Sequence, residues 1–113
     1  MNVEVRIQGT DLAEVVRRYA VRRLRFALGR FASRVGKVTV RITDVNGTRG
    51  GVDQCCHVSM ERLPSGKLVV EQTDADLLSA IDRAVERVER TFKRDLQRAR
   101  QTQTSHESVR IQL

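Results

Sequence analysis

Between Asp76 and Arg100 the chain repeats Leu77, Ile81, Ala84, Val88, Phe92, Leu96 and Ala99 at spacings of three and four. Apolar residues at that spacing fall on one side of a 3.6-residue helix, so the stretch predicts a long amphipathic helix. Such a stripe must be covered, and the rest of the chain has to supply the covering surface. Beside it run Arg83, Arg87, Arg90 and Arg94, a row about 16 Å long by helix rise, which suits a line of phosphates. Asp82, Glu86 and Glu89 stand next to that row. Glu86 with Arg90, and Glu89 with Lys93, are expected to form solvated helix pairs of ~0.3 kcal/mol each. Taken singly, each arginine therefore reads as part of a solvated face; only the row as a whole points to a polyanion.

The charge distribution supports the row. The 113 residues carry a net charge of +7. From Asp11 to Arg34 there are seven arginines against two acids, and from Asp76 to Arg100 seven basic residues against five acids, giving +5 and +2. The remaining segments cancel, so the whole surplus sits on two helical segments, as expected of a protein that presents helices to an anion.

Read in order, Asn2 to Gln8 alternates Val3, Val5 and Ile7 with Glu4, Arg6 and Gln8, the period of a half-buried strand. Gly9 breaks it, and Thr10 or Asp11 can cap a first helix with the stripe Leu12, Val16, Tyr19, Ala20, Leu24, Ala27, Leu28 and Phe31. Arg18, Arg22 and Arg25 fall on its other side, with Arg23 at the edge. Gly36 ends that segment, and Val38, Val40 and Ile42 mark a second strand. Asn46 to Gly51 reads as a loop. A third strand puts Cys56, Val58 and Met60 on one face and Cys55, His57 and Ser59 on the other, with Arg62 at its end, expected to lie away from the helices. Leu63-Pro-Ser-Gly-Lys67 is a hairpin turn, and Leu68 to Thr73 a fourth strand.

The order β-α-β-β-β-α gives an α+β fold: a mixed four-stranded sheet, first and second strands parallel through a right-handed crossover, both helices packed on one face. Side by side there, the helices are expected to join Arg22 and Arg23 to the row from Arg83 to Arg94 in one continuous positive surface. Residues 1–100 form a single domain, and 101–113, polar in its first half, reads as a mobile tail.

Function classes narrow from the same residues. No run of 18 apolar residues and no secretory signal occurs, so neither a membrane nor export is expected, and the location is cytoplasmic. Cys55 and Cys56 are adjacent, a poor arrangement for a staple and one that fits a reducing compartment. Alternation along a strand leaves only Cys55 and His57 sharing a face, with no second ligand pair, so no metal is expected. No nucleophile elbow, phosphate loop or Ser-His-acid spacing is present; catalytic residues, cofactors and a small-molecule substrate are not expected. Aromatic residues make up 4% with no Trp, and Tyr19 and Phe31 belong to the apolar stripe. Binding should therefore rest on phosphate and shape, not on stacking. Without further information the partner is another RNA or an acidic protein met by a basic adaptor.

The phrase DLLSAIDRAVERVERTFKR, Asp76 to Arg94, resembles the ribosome hibernation-promoting factor family, also called ribosome-associated inhibitors or sigma-54 modulation proteins. Asp76, Leu77, Ala80, Ile81, Asp82, Glu86, Arg87, Val88, Arg90 and Arg94 fall where that family's second helix has its pattern, while Leu78 stands where it usually has Tyr. Tyr19-Ala-Val-Arg22-Arg23-Leu24 is similar to its first helix, with arginine for lysine twice. The similarity covers about residues 2 to 100, and the chain looks like a short form. The resemblance implies a ribosome-binding domain that docks on the small ribosomal subunit and its 16S rRNA. There it occupies the channel of messenger and transfer RNA, blocks initiation and preserves idle ribosomes. It implies no enzyme activity, and Arg22, Arg23, Arg87, Arg90 and Arg94 at its motif positions join Arg18, Arg25 and Arg83, placed beside them by helix spacing, as the expected RNA-binding set.

Overall fold

The computed structural model describes residues 1–7, 13–46 and 52–112, with side chains described at 1–7, 13–45 and 53–98. The elements are β1 (Asn2–Ile7), α1 (Ala13–Leu28), a 3-10 segment (Gly29–Arg34), β2 (Val35–Asn46), β3 (Val52–Arg62), β4 (Lys67–Asp74) and α2 (Leu77–Gln112). The order is the expected one. The cap at Thr10 or Asp11, the break at Gly9, Leu12 and the glycines of the loop after Asn46 lie outside the described residues.

The sheet runs β1-β2-β3-β4. β1 pairs with β2 in parallel, Val5 opposite Val40, and the other two pairings are antiparallel. One consequence follows from topology alone. β4 runs the same way as β1, each is followed by a helix that turns back over the sheet, and so α1 and α2 lie parallel to each other.

Period-two alternation sends Val38, Val40 and Ile42 of β2, Cys56, Val58 and Met60 of β3, and Val70 of β4 to one face, where all are buried. The helix stripes close over them: Val16, Ala20, Leu24, Ala27 and Leu28 from α1, and Ala80, Ile81, Ala84, Val85, Val88 and Phe92 from α2. The opposite face, where Arg6, Lys37, Arg41, Val69, Glu71 and Thr73 are exposed, carries no helix among the described residues. Ala99, the last member of the expected stripe, lies beyond the described side chains.

α1 ends at Leu28, and the 3-10 turn after it swings Phe31 onto Phe92 in an edge-to-face contact with centroids 5.4 Å apart. Farther along the pair, Tyr19 Oη donates to Asp82 Oδ1 at 2.5 Å and Arg23 Nε donates to the same oxygen at 3.1 Å. Asp82 thus ties two turns of α1 to α2. The bond to Asp82, followed by desolvation, holds the Tyr19 hydroxyl above its ordinary pKa.

α2 starts where Asp76 accepts from the Ser79 backbone N–H at 3.2 Å and from its hydroxyl at 2.8 Å, satisfying a donor that the first turn leaves free. Its backbone continues to Gln112, well past Arg100. No Gly or Pro stands between Leu77 and Leu113 to stop it.

Arg62 is a correction. It does not lie away from the helices: its Nη1 donates to Asp95 Oδ2 of α2 at 2.7 Å. The turn from β3 to β4 makes this possible. Arg62 N–H donates to the Gly66 carbonyl at 2.9 Å, Gly66 has φ +108°, and a Cβ there would stand 2.8 Å from Arg62 Nη2. The positive φ favours glycine here, and the missing Cβ leaves room for the side chain laid across it.

Two measurements check this account. Phe92→Ala should cost about 3 to 5 kcal/mol, read as a lower urea midpoint with an unchanged m-value, because it empties the seam of the helix pair. Tyr19→Phe should cost about 1 kcal/mol at neutral pH. Since the folded-state pKa of Tyr19 is raised, the unfolded chain releases this proton first, and the associated stability is lost as pH rises through the folded value. The stability curve of Tyr19→Phe above about pH 10 should therefore fall less steeply than that of the wild type.

Candidate nucleic-acid interface

Every arginine singled out by the sequence lies on the helical layer, and the paired and unpaired ones separate clearly. Arg18 Nε stands 3.6 Å from Glu14 Oε1, Arg23 Nε 3.1 Å from Asp82 Oδ1, and Arg83 Nε 3.5 Å from Asp74 Oδ2 at the end of β4. Arg22, Arg25, Arg87, Arg90 and Arg94 are exposed, and among the described residues no carboxylate lies within ion-pair distance of them. The expected pair of Glu89 with Lys93 forms at 2.9 Å, whereas that of Glu86 with Arg90 does not. Glu89 also faces Arg30 of the 3-10 turn at 3.7 Å.

These contacts fix how α2 is rotated. Asp82 and Glu89 point toward α1, because their partners Tyr19, Arg23 and Arg30 are there. Arg83 points the other way, toward Asp74. Arg87 and Arg94, one and three turns on, share its flank, Arg90 lies nearer the crest, and Glu86 falls between that row and α1. The single continuous positive surface is therefore not what the helix pair makes. It makes two basic stripes, Arg18, Arg22 and Arg25 on α1 and Arg87, Arg90 and Arg94 on α2, divided by a seam of Asp82, Glu86 and Glu89. The helices do lie side by side; the rotation of α2, set by its buried stripe, puts the acids in between.

A hollow of about 510 Å³ follows the crest of α2, lined by Glu86, Glu89, Arg90, Lys93, Arg94 and Gln97. Its walls are polar side chains of one helix, five of them charged, unlike the largely apolar pockets that hold small molecules.

The cysteine run behaves as strand residues. Cys56 is fully buried in the core, and desolvation pushes its thiol up to about 12. Cys55, on the open face, is 6% exposed and donates to Glu71 Oε1 at 3.2 Å. Burial, then that bond, raises its pKa. Both thiols are thus held in the protonated, weakly nucleophilic form.

One exposed residue escaped the sequence reading. Phe26 of α1 is 84% exposed, the most exposed large apolar side chain described. The signal was available, since Phe26 stands two residues from both Leu24 and Leu28 and so falls off the helical stripe.

The fold has counterparts. The profile of the family described as sigma 54 modulation protein / S30EA ribosomal protein matches residues 3–100. Among solved structures, the N-terminal domain of Protein Y from Thermus thermophilus superposes with a TM-score of 0.63 at 25% identity, over 83% of this chain and 98% of that one. No curated protein sequence matches the chain. With its βαβββα order and its two basic helices on one sheet face, the chain belongs to the sigma 54 modulation protein / S30EA ribosomal protein family, the ribosome-associated hibernation factors.

Proposed function

We propose that this protein binds the small ribosomal subunit through the exposed arginines of its helical layer and inhibits translation by occupying the channel of messenger and transfer RNA. The observation that carries this reading is the set of guanidiniums left without acidic partners among the described residues, Arg22, Arg25, Arg87, Arg90 and Arg94, on the outer face of a family fold. A paired arginine must give up a carboxylate before it meets a phosphate; an unpaired one exchanges only water and counterions, which favours binding when the ions are released. Arg18, Arg23 and Arg83 then contribute less, Arg23 mainly by holding the helices together. The protein works in the cytoplasm, where ribosomes are, and acts by occupancy without turnover.

Two assays test this. In co-sedimentation with purified small subunits, log affinity should fall with log salt at a slope of roughly 0.7 to 0.9 per phosphate contact. Replacing Arg87, Arg90 or Arg94 by Gln should lower affinity and flatten that slope by about one unit each, with little change in folding stability. Arg41→Gln, on the open sheet face opposite the helices, is the control and should change neither. Helix variants that keep the wild-type slope would place the RNA surface elsewhere. In cell-free translation, inhibition should saturate near one protein per small subunit and be relieved by added initiation components. Inhibition at a small catalytic ratio would rule out occupancy.

A further inference from the structure

Phe26 takes no part in the core, and its exposed ring is not accounted for by folding. Its surroundings are specific. Arg22 stands one turn before it and Arg25 immediately before it, both exposed and without an acidic partner among the described residues. Gly29, at i+3, has open space where a Cβ would stand and puts no side chain of its own beside the ring. Arg30, one turn on, is drawn off by Glu89 and by the ring of Phe31, 4.8 Å from its guanidinium carbon.

An exposed apolar ring with two such guanidiniums on its N-terminal side presents a π-face with positive charge along one edge. An apolar protein groove would have to bury those charges without partners, which is costly. An unpaired nucleotide matches both features, its base stacking on the ring while its phosphates meet the guanidiniums. We propose that Phe26 is a stacking platform for one unpaired base of ribosomal RNA, with Arg22 and Arg25 holding the flanking phosphates. This rests on the small-subunit reading and adds a contact that electrostatics alone does not supply: the α1 stripe distinguishes an unpaired, accessible base from a uniform line of phosphates.

The test uses the full chain and small subunits stripped of messenger and transfer RNA. Phe26→Ala should weaken binding by about fivefold to a hundredfold, the contribution of a stacked base. The salt slope should stay that of the wild type, since stacking releases no counterions. Phe26→Trp should restore affinity, and because the chain has no other Trp, its fluorescence should be quenched when subunits are added. The exposure of Phe26 predicts that neither variant changes the urea midpoint downward. Unchanged affinity of Phe26→Ala, a flattened slope, or a Trp that is not quenched on bound protein would each overturn the stacking assignment while leaving the small-subunit reading intact. Conversion of a wild-type dimer to a monomer by Phe26→Ala would assign the ring to self-association and also overturn it. Failure of the wild type itself to bind subunits would sink the underlying reading, and the assignment with it.

Discussion

Burial of one stripe of α2 decides where every guanidinium of that helix goes. Phe92, Val88, Val85, Ala84 and Ile81 are all at most 2% exposed. Full burial of side chains of this size is worth about 1.5 to 3 kcal/mol each for the larger ones, far more than any single exposed ion pair can contribute. The helix cannot rotate to improve its electrostatics at that expense. Its charged residues therefore stand where the stripe leaves them, Asp82 and Glu89 toward α1, Arg83 toward β4, and Arg87, Arg90 and Arg94 outward. The ion pairs are consequences of the packing, and Asp82 joins the helices by two hydrogen bonds.

The same hierarchy explains which parts of the fold were legible in the sequence. Strand alternation and helix stripes are local patterns, each dictated by the geometry of its own element, so the element order, the inner face of β3 and the buried residues of both helices could be read directly. Arg62 could not. Its contact with Asp95 joins residues 33 apart and depends on how the hairpin turn at Gly66 lays the side chain across toward α2. The Asp82 clasp is likewise a product of the parallel orientation of two helices 59 to 63 residues apart in sequence. Nor does spacing guarantee a pair. Glu86 and Arg90 have the favourable i,i+4 order and do not meet, whereas Glu89 meets both Lys93 and Arg30 because the second partner comes from another element.

The candidate interface was legible in composition and position but not in arrangement. Which arginines lie on the helices follows from the sequence alone; which of them are free follows from acids contributed by other turns and other elements, Glu14, Asp74 and Asp82. Cys55 shows the same limit. Its alternation with Cys56 is readable, yet its near-complete burial on the open face reflects neighbours across the sheet, Thr43 on β2, Thr73 on β4 and the Glu71 carboxylate.

On the proposed reading, the seam of Asp82, Glu86 and Glu89 has a function that a uniformly basic surface would lack. Packed helices lie about 8 to 10 Å apart, and the two basic stripes are on the outward sides of that pair, so they stand farther apart than the helix axes. A phosphate placed midway would meet Asp82 already paired with Arg23, Glu89 already paired with Arg30 and Lys93, and Glu86 beside them, all within the ~8 to 10 Å over which charge acts at physiological ionic strength, so the middle offers it little net attraction. A polyanion lying across both helices at random therefore gains little along the middle, and the favoured ligand is one whose backbones are already separated to match the two stripes. A folded RNA surface offers that separation; a single extended strand satisfies one stripe and leaves the other unmatched. The acids lower the total charge available for binding, and in exchange they make the geometry of the RNA, as well as its charge, a condition of binding.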